Sequence, residues 1–172
     1  MHTGSLLKVI IVGDGGVGKT SLVRQWCEGK FVQSRIMTIG VDFQTKMVRV
    51  PEGEVKLSIW DVAGQQRFAP VREGFYRGAL VAALVYDLND IKTLVDLGRW
   101  LKEIRQFEPT IRLLLVGNKS DLGRSAEAEG REFAKRLGAQ FIITSARTGE
   151  GVEDMFEGMA DLAYSELGTN LV

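Results

Sequence analysis

The feature that most constrains this chain is a junction near its start. The apolar run Leu6–Val12 passes without a spacer into Gly13-Asp14-Gly15-Gly16-Val17-Gly18-Lys19-Thr20-Ser21, and an amphipathic stretch to Gly29 follows. A buried strand, a glycine-rich turn and a helix in that order fit the G-x-x-x-x-G-K-[ST] phosphate loop in the context the motif requires. Glycines let backbone N–H groups point inward around phosphates without Cβ clashes, and the helix N-terminus adds a positive dipole end. Lys19 is expected to bridge the β- and γ-phosphates, and the Thr20 hydroxyl to ligate Mg²⁺.

The remaining pattern builds a sheet around that junction. Val41–Val50 and Val55–Trp60 read as a strand pair joined by the turn signal Pro51-Glu52-Gly53. Leu80–Tyr86, Leu113–Val116 and Gln140–Thr144 are further strand candidates. Helical spacing marks Thr93–Phe107, Ala126–Leu137 and Val152–Leu167. Strands alternating with helices predict an α/β fold, a mostly parallel sheet with helices on both faces. Its 172 residues suit one domain, expected at 6–168 between a flexible segment 1–5 and a short end 169–172.

Charge and composition exclude several function classes. Lys and Arg total 22, as do Asp and Glu, so nothing global favours nucleic acid or an anionic membrane. The longest unbroken apolar run, Ala79–Tyr86, is far short of a bilayer span. Cys27 is the single cysteine, so no internal disulfide can form and a reducing, cytoplasmic setting is expected. The last 25 residues hold six acids and no Lys or Arg, and the end Gly-Thr-Asn-Leu-Val offers no cysteine to prenylate. A soluble chain without a membrane anchor of its own is the expectation, peripheral to a membrane only through a lipidated tail or an anchored partner.

Two further loops carry chemistry. Gly117-Asn118-Lys119-Ser120-Asp121 follows a strand. A carboxylate at Asp121 can accept the parallel N1–H and N2–H₂ bonds of guanine, which adenine does not present. Asn118 can serve O6 or N7, and the Lys119 stem can lie along the base plane. Ser145-Ala146-Arg147, at the end of the last strand, offers a backbone N–H to the base oxygen. In Trp60-Asp61-Val62-Ala63-Gly64-Gln65, Asp61 ends a strand near the metal position and Gly64 can set its N–H against a γ-phosphate oxygen. Gln65 can orient an attacking water.

Phosphate loop, Asp-x-x-Gly and Asn-Lys-x-Asp in this order resemble the Ras superfamily of small GTPases over nearly the whole chain. Ile39–Phe43, Lys56–Phe68, Phe75–Ala79 and Leu84–Asp87 are most similar to the Rab family. The resemblance implies a six-stranded sheet with one antiparallel strand, about five helices, and bound GTP or GDP with Mg²⁺. It also implies a switch that hydrolyses GTP and offers its switch loops to effector, exchange-factor and activating proteins. By position, Thr38 becomes the switch threonine on Mg²⁺ and the γ-phosphate, Phe31 lies at the guanine edge, and Phe43, Trp60 and Tyr76 form an aromatic surface for effectors. The alternative for that triad is core packing. The competing function class, a nucleotide-loaded adaptor with negligible hydrolysis, is opposed by Gln65; a P-loop kinase or ATPase is opposed by Asn118 and Asp121.

Two positions depart from the pattern. Gln66 replaces the glutamate that in the family helps release nucleotide. Arg35 stands three residues before Thr38, where heterotrimeric G-protein α subunits carry a built-in arginine finger. Two readings stand for Arg35: a solvated switch residue, or a finger that reaches the γ-phosphate in cis and takes part in catalysis.

Overall fold

The computed structural model describes residues 6–31, 41–64 and 69–169. Its strands are β1 (Leu6–Val12), β2 (Val41–Val50), β3 (Gly53–Val62), β4 (Val81–Asp87), β5 (Arg112–Asn118) and β6 (Gln140–Ile143). They form one sheet in the order β2-β3-β1-β4-β5-β6, with β2 antiparallel to β3 and every other pairing parallel. The helices are α1 (Lys19–Glu28), α2 (Ala69–Tyr76), α3 (Ile91–Val95), α4 (Leu97–Arg105), α5 (Glu127–Leu137) and α6 (Val152–Thr169).

The expected helix Thr93–Phe107 starts earlier, because the Asp90 carboxylate accepts from the Lys92 N–H as an N-cap, and it is divided at Asp96 into α3 and α4. Counting α3 and α4 as one broken rod gives five α-helical segments among the described residues, as expected. The β2–β3 turn is tighter than the sequence suggests, since Val50 pairs with Gly53 across only Pro51 and Glu52.

The sheet is covered on both faces, which is why β4 is buried along nearly its whole length. One core joins Val9, Ile11 and Val85 of the sheet to Leu22 and Trp26 of α1 and to Met155, Phe156 and Met159 of α6. The other joins Ile10, Val12 and Leu84 to Leu97, Trp100 and Ile104 of α4. Alternation along β1 divides its residues between the two cores, as a period of two requires. Trp26 and Phe156 stack at 4.2 Å between centroids and 3° between planes, pinning α6 to the helix that leaves the phosphate loop.

Truncating Phe156 to Ala is expected to cost about 3–5 kcal/mol, as for other large-to-small changes in closed cores. Urea titration checks this through a lower midpoint at unchanged m-value.

Candidate functional site

Parallel strands direct their carboxyl ends to one edge of the sheet, and the loops leaving β1, β3, β5 and β6 meet there. The glycine-rich loop after β1 wraps the Lys19 ammonium. Lys19 is buried and donates to the carbonyl oxygens of Gly13 at 2.8 Å and Asp14 at 2.9 Å. Burial lowers its pKa to about 8, although the Asp61 and Asp14 carboxylates act in the opposite direction. Two of its three N–H donors are thus held by the loop itself. Val17 is buried, while Ser21 lies partly buried on α1.

Thr20 lies in the first turn of α1 and its hydroxyl donates to the buried Asp61 carboxylate at the end of β3. Hydroxyl and carboxylate oxygens are hard donors, the set that suits Mg²⁺, which takes one or two protein oxygens and fills its other positions with water or phosphate. Beyond Asp61 the chain reaches Gly64, where backbone approaches backbone. A Cβ there would stand 2.6 Å from the Gly13 oxygen and the Asp14 carbonyl carbon, so only glycine lets this segment touch the phosphate loop.

Asn118 is the keystone of the base-side loops. Fully buried, it donates from Nδ2 to the Val17 carbonyl at 2.9 Å and accepts at Oδ1 from the Thr144 hydroxyl at 2.9 Å. One amide therefore joins the phosphate loop, the β5 loop and the β6 end, leaving a single N–H for any other partner. Gly18 passes so close to this amide that a Cβ would overlap Nδ2. Lys119 takes a left-handed backbone, φ 67°, and its ammonium lies 3.3 Å from the Asp87 carboxylate. Asp121 is exposed, with Oδ1 oriented by the Ser145 hydroxyl at 2.8 Å. The Ser145 N–H is committed to the Glu150 carbonyl, so within that tripeptide Ala146 and Arg147 hold the remaining backbone donors. Phe31 is 40% exposed beyond α1. Arg35, Thr38 and Gln65 fall outside the described residues, as does Gln66.

The aromatic surface needs one correction. Phe43 is 63% exposed and lies 5.7 Å from Trp60, but the third ring is Phe75, at 6.2 Å from Trp60. Tyr76 is buried, 6.2 Å from Phe107, and burial pushes its hydroxyl pKa upward, with Glu103 adding to the effect. Adjacent helical residues project about 100° apart, so Phe75 and Tyr76 cannot share a surface. The missed signal was α2 itself. Arg72 and Tyr76, four apart, are both buried, which leaves Phe75 half-buried beside the half-buried Trp60. Cys27 is half-buried on α1, and burial is the main cause that raises its thiol pKa.

Asn118→Ala would strand the Val17 carbonyl and the Thr144 hydroxyl, each a buried polar group worth about 1–3 kcal/mol when unsatisfied. A lowered thermal midpoint, with faster amide exchange in both the phosphate loop and the β6 end, is the expected result.

A family model described as "Ras family" matches residues 8–165. Ras-related protein SEC4 of Saccharomyces cerevisiae is 39% identical over 169 residues, covering 96% of this chain and 79% of that protein. Ras-related protein Rab-11B of Dictyostelium discoideum is 37% identical, with 96% and 77% covered. Ras-related protein RABA6b of Arabidopsis thaliana is 40% identical over 171 residues, with 97% and 75% covered. With a match of that extent and relatives at this identity, the chain belongs to the Ras family, as a GTP-hydrolysing small GTPase of the Rab type.

Proposed function

We propose that this GTPase holds GTP or GDP with Mg²⁺ across the carboxyl ends of β1, β3, β5 and β6, and acts as a switch that shows one surface to effectors only while the γ-phosphate is present. The observation that carries the reading is the buried Lys19 ammonium. It costs solvation, it is satisfied on two sides by the loop's own carbonyls, and its remaining N–H suits a phosphate oxygen.

In this reading the N–H groups of Gly15, Gly16, Val17, Gly18, Lys19 and Thr20 surround the phosphates, with Ser21 at the first turn of α1. Thr20, Asp61 and Thr38 hold Mg²⁺, which when bound neutralises β- and γ-phosphate charge. Asp121 reads guanine through two N–H bonds, Asn118 contributes its one uncommitted N–H, Lys119 and Phe31 flank the base, and Ala146 or Arg147 donates to O6. Gln65 orients the attacking water, and Arg35 stabilises charge on the transferred phosphoryl group. Gly64 and Thr38 contact the γ-phosphate, so its loss releases both switch loops. Phe43, Trp60 and Phe75 form the surface for effectors; exchange and activating proteins engage the same loops.

Single-turnover hydrolysis with wild type, Gln65→Leu and Arg35→Ala tests the chemistry. Gln65→Leu should slow the reaction at least about tenfold, about 1.4 kcal/mol on the barrier. Arg35→Ala should bring the partner-free rate down toward about 10⁻⁴ per second, the value of a small GTPase without a finger. An unchanged rate for Arg35→Ala makes that residue a bystander, and ATP competing as well as GTP would overturn the reading of Asp121.

The lowered Lys19 pKa makes a second test. Free protein loses this proton as pH rises through about 8, whereas phosphate restores the ammonium. Nucleotide binding should therefore take up part of a proton between about pH 7 and 9, and affinity should fall as pH rises through that window. Calorimetry in buffers of differing ionisation enthalpy measures the uptake; identical heats would contradict it.

A further inference from the structure

Arg72 stands outside every role assigned so far. It sits on α2, is 2% exposed, and reaches across to α4. Its Nε and Nη2 each lie 3.0 Å from an oxygen of Glu103, a two-point fork. The same guanidinium lies over the Trp100 ring, 4.5 Å from its centroid. Trp100 is itself buried, and its Nε1 donates at 3.0 Å to Oδ1 of Asp14 in the phosphate loop. Arg99 approaches the same oxygen at 3.5 Å. The Asp14 carbonyl in turn accepts from Lys19. An unbroken line of contacts therefore runs from Glu103 through Arg72, Trp100 and Asp14 to the lysine. α4 is the fixed member of that line, held to the core by Leu97 and Ile104.

We propose that Arg72 is a positioning residue for nucleotide retention: by clamping α2 to α4 and fixing the Trp100 indole, it holds Asp14 and so keeps the phosphate loop closed. Arginine suits this role because its planar fork pairs with a carboxylate at two points while its face lies on an aromatic ring, which lysine cannot do. The relay makes the seat of α2, the helix that follows the Gly64 segment, a determinant of nucleotide affinity without any contact between Arg72 and nucleotide. The inference rests on residues 13–20 being the phosphate-holding loop.

The test is the dissociation rate of fluorescently labelled GDP from the full chain with Mg²⁺, measured for wild type, Arg72→Met, Trp100→Phe and the double variant. Trp100→Phe keeps an aromatic face, removes the donor to Asp14 and also vacates the volume of the indole's second ring in the core, so its thermal midpoint is measured alongside release. Each single change should speed release at least about tenfold, and the double variant should be no faster than the faster single within about twofold, because both cut one line. A purely structural clamp would lower the thermal midpoint of Arg72→Met but leave GDP release within about twofold of wild type, and that result overturns the proposal. Multiplying effects in the double variant overturn it as well. Should Arg72→Met fail to fold, Arg72→Lys keeps the charge and loses the fork; release at least about threefold faster supports the relay and an unchanged rate refutes it. Lys19→Ala separates the two readings. If it does not weaken GDP binding, the assignment of the phosphate loop fails, whereas weakened binding there with normal release from Arg72→Met sinks the relay alone.

Discussion

A buried ammonium is the constraint around which this end of the molecule is arranged. Lys19 has left water, and the loop answers with two carbonyl oxygens held in place by glycine-permitted geometry. Burial also determines what may stand nearby: Asp61 and Asp14 favour the charge, and Arg72 opposes it from a distance. A trianionic or tetra-anionic partner fits such a site because the protein has already desolvated the cation and pre-oriented its donors.

The parallel sheet makes this arrangement possible. Four strands deliver four loops to one edge, and the loops are then tied to each other by side chains that would be unremarkable anywhere else. Asn118 binds three of them with one amide, and Gly18 and Gly64 supply the missing volume that such close packing demands. The apolar cores below set the strand ends, and the polar ties above convert strand ends into a site.

Much of this was legible in the sequence because its signals are local. A strand, a glycine-rich turn and Lys-Thr lie within consecutive residues, and the loop they predict is the one that folds around Lys19. The sheet was legible for the same reason, since apolar runs and turn residues mark strands one at a time. The bracing role of Asn118 was not legible, because its partners Val17 and Thr144 lie 101 and 26 residues away. The aromatic surface was misassigned by one position, Tyr76 for Phe75. α2 carries Pro70 and Gly74, which weaken the helical signature, and without a recognised helix the two neighbouring rings are interchangeable on paper. Arg72 gave no sign at all, since an arginine in a sequence reads as solvated until Glu103 and Trp100 are seen around it.

The sheet's two edges are protected by different means. β6 is only four residues long, too short to template another chain. β2 is ten residues long and bears the exposed rings and thioether of Phe43 and Met47, features that in an open sheet invite strand addition. Asp42, Lys46 and Arg49 interrupt that edge with charge, and Lys46 is drawn back over the Trp26 ring, 4.2 Å from its centroid, while donating to the Trp26 carbonyl. A sticky aromatic surface can therefore stay uncovered in a crowded cell without the edge beside it recruiting copies of itself into a growing sheet.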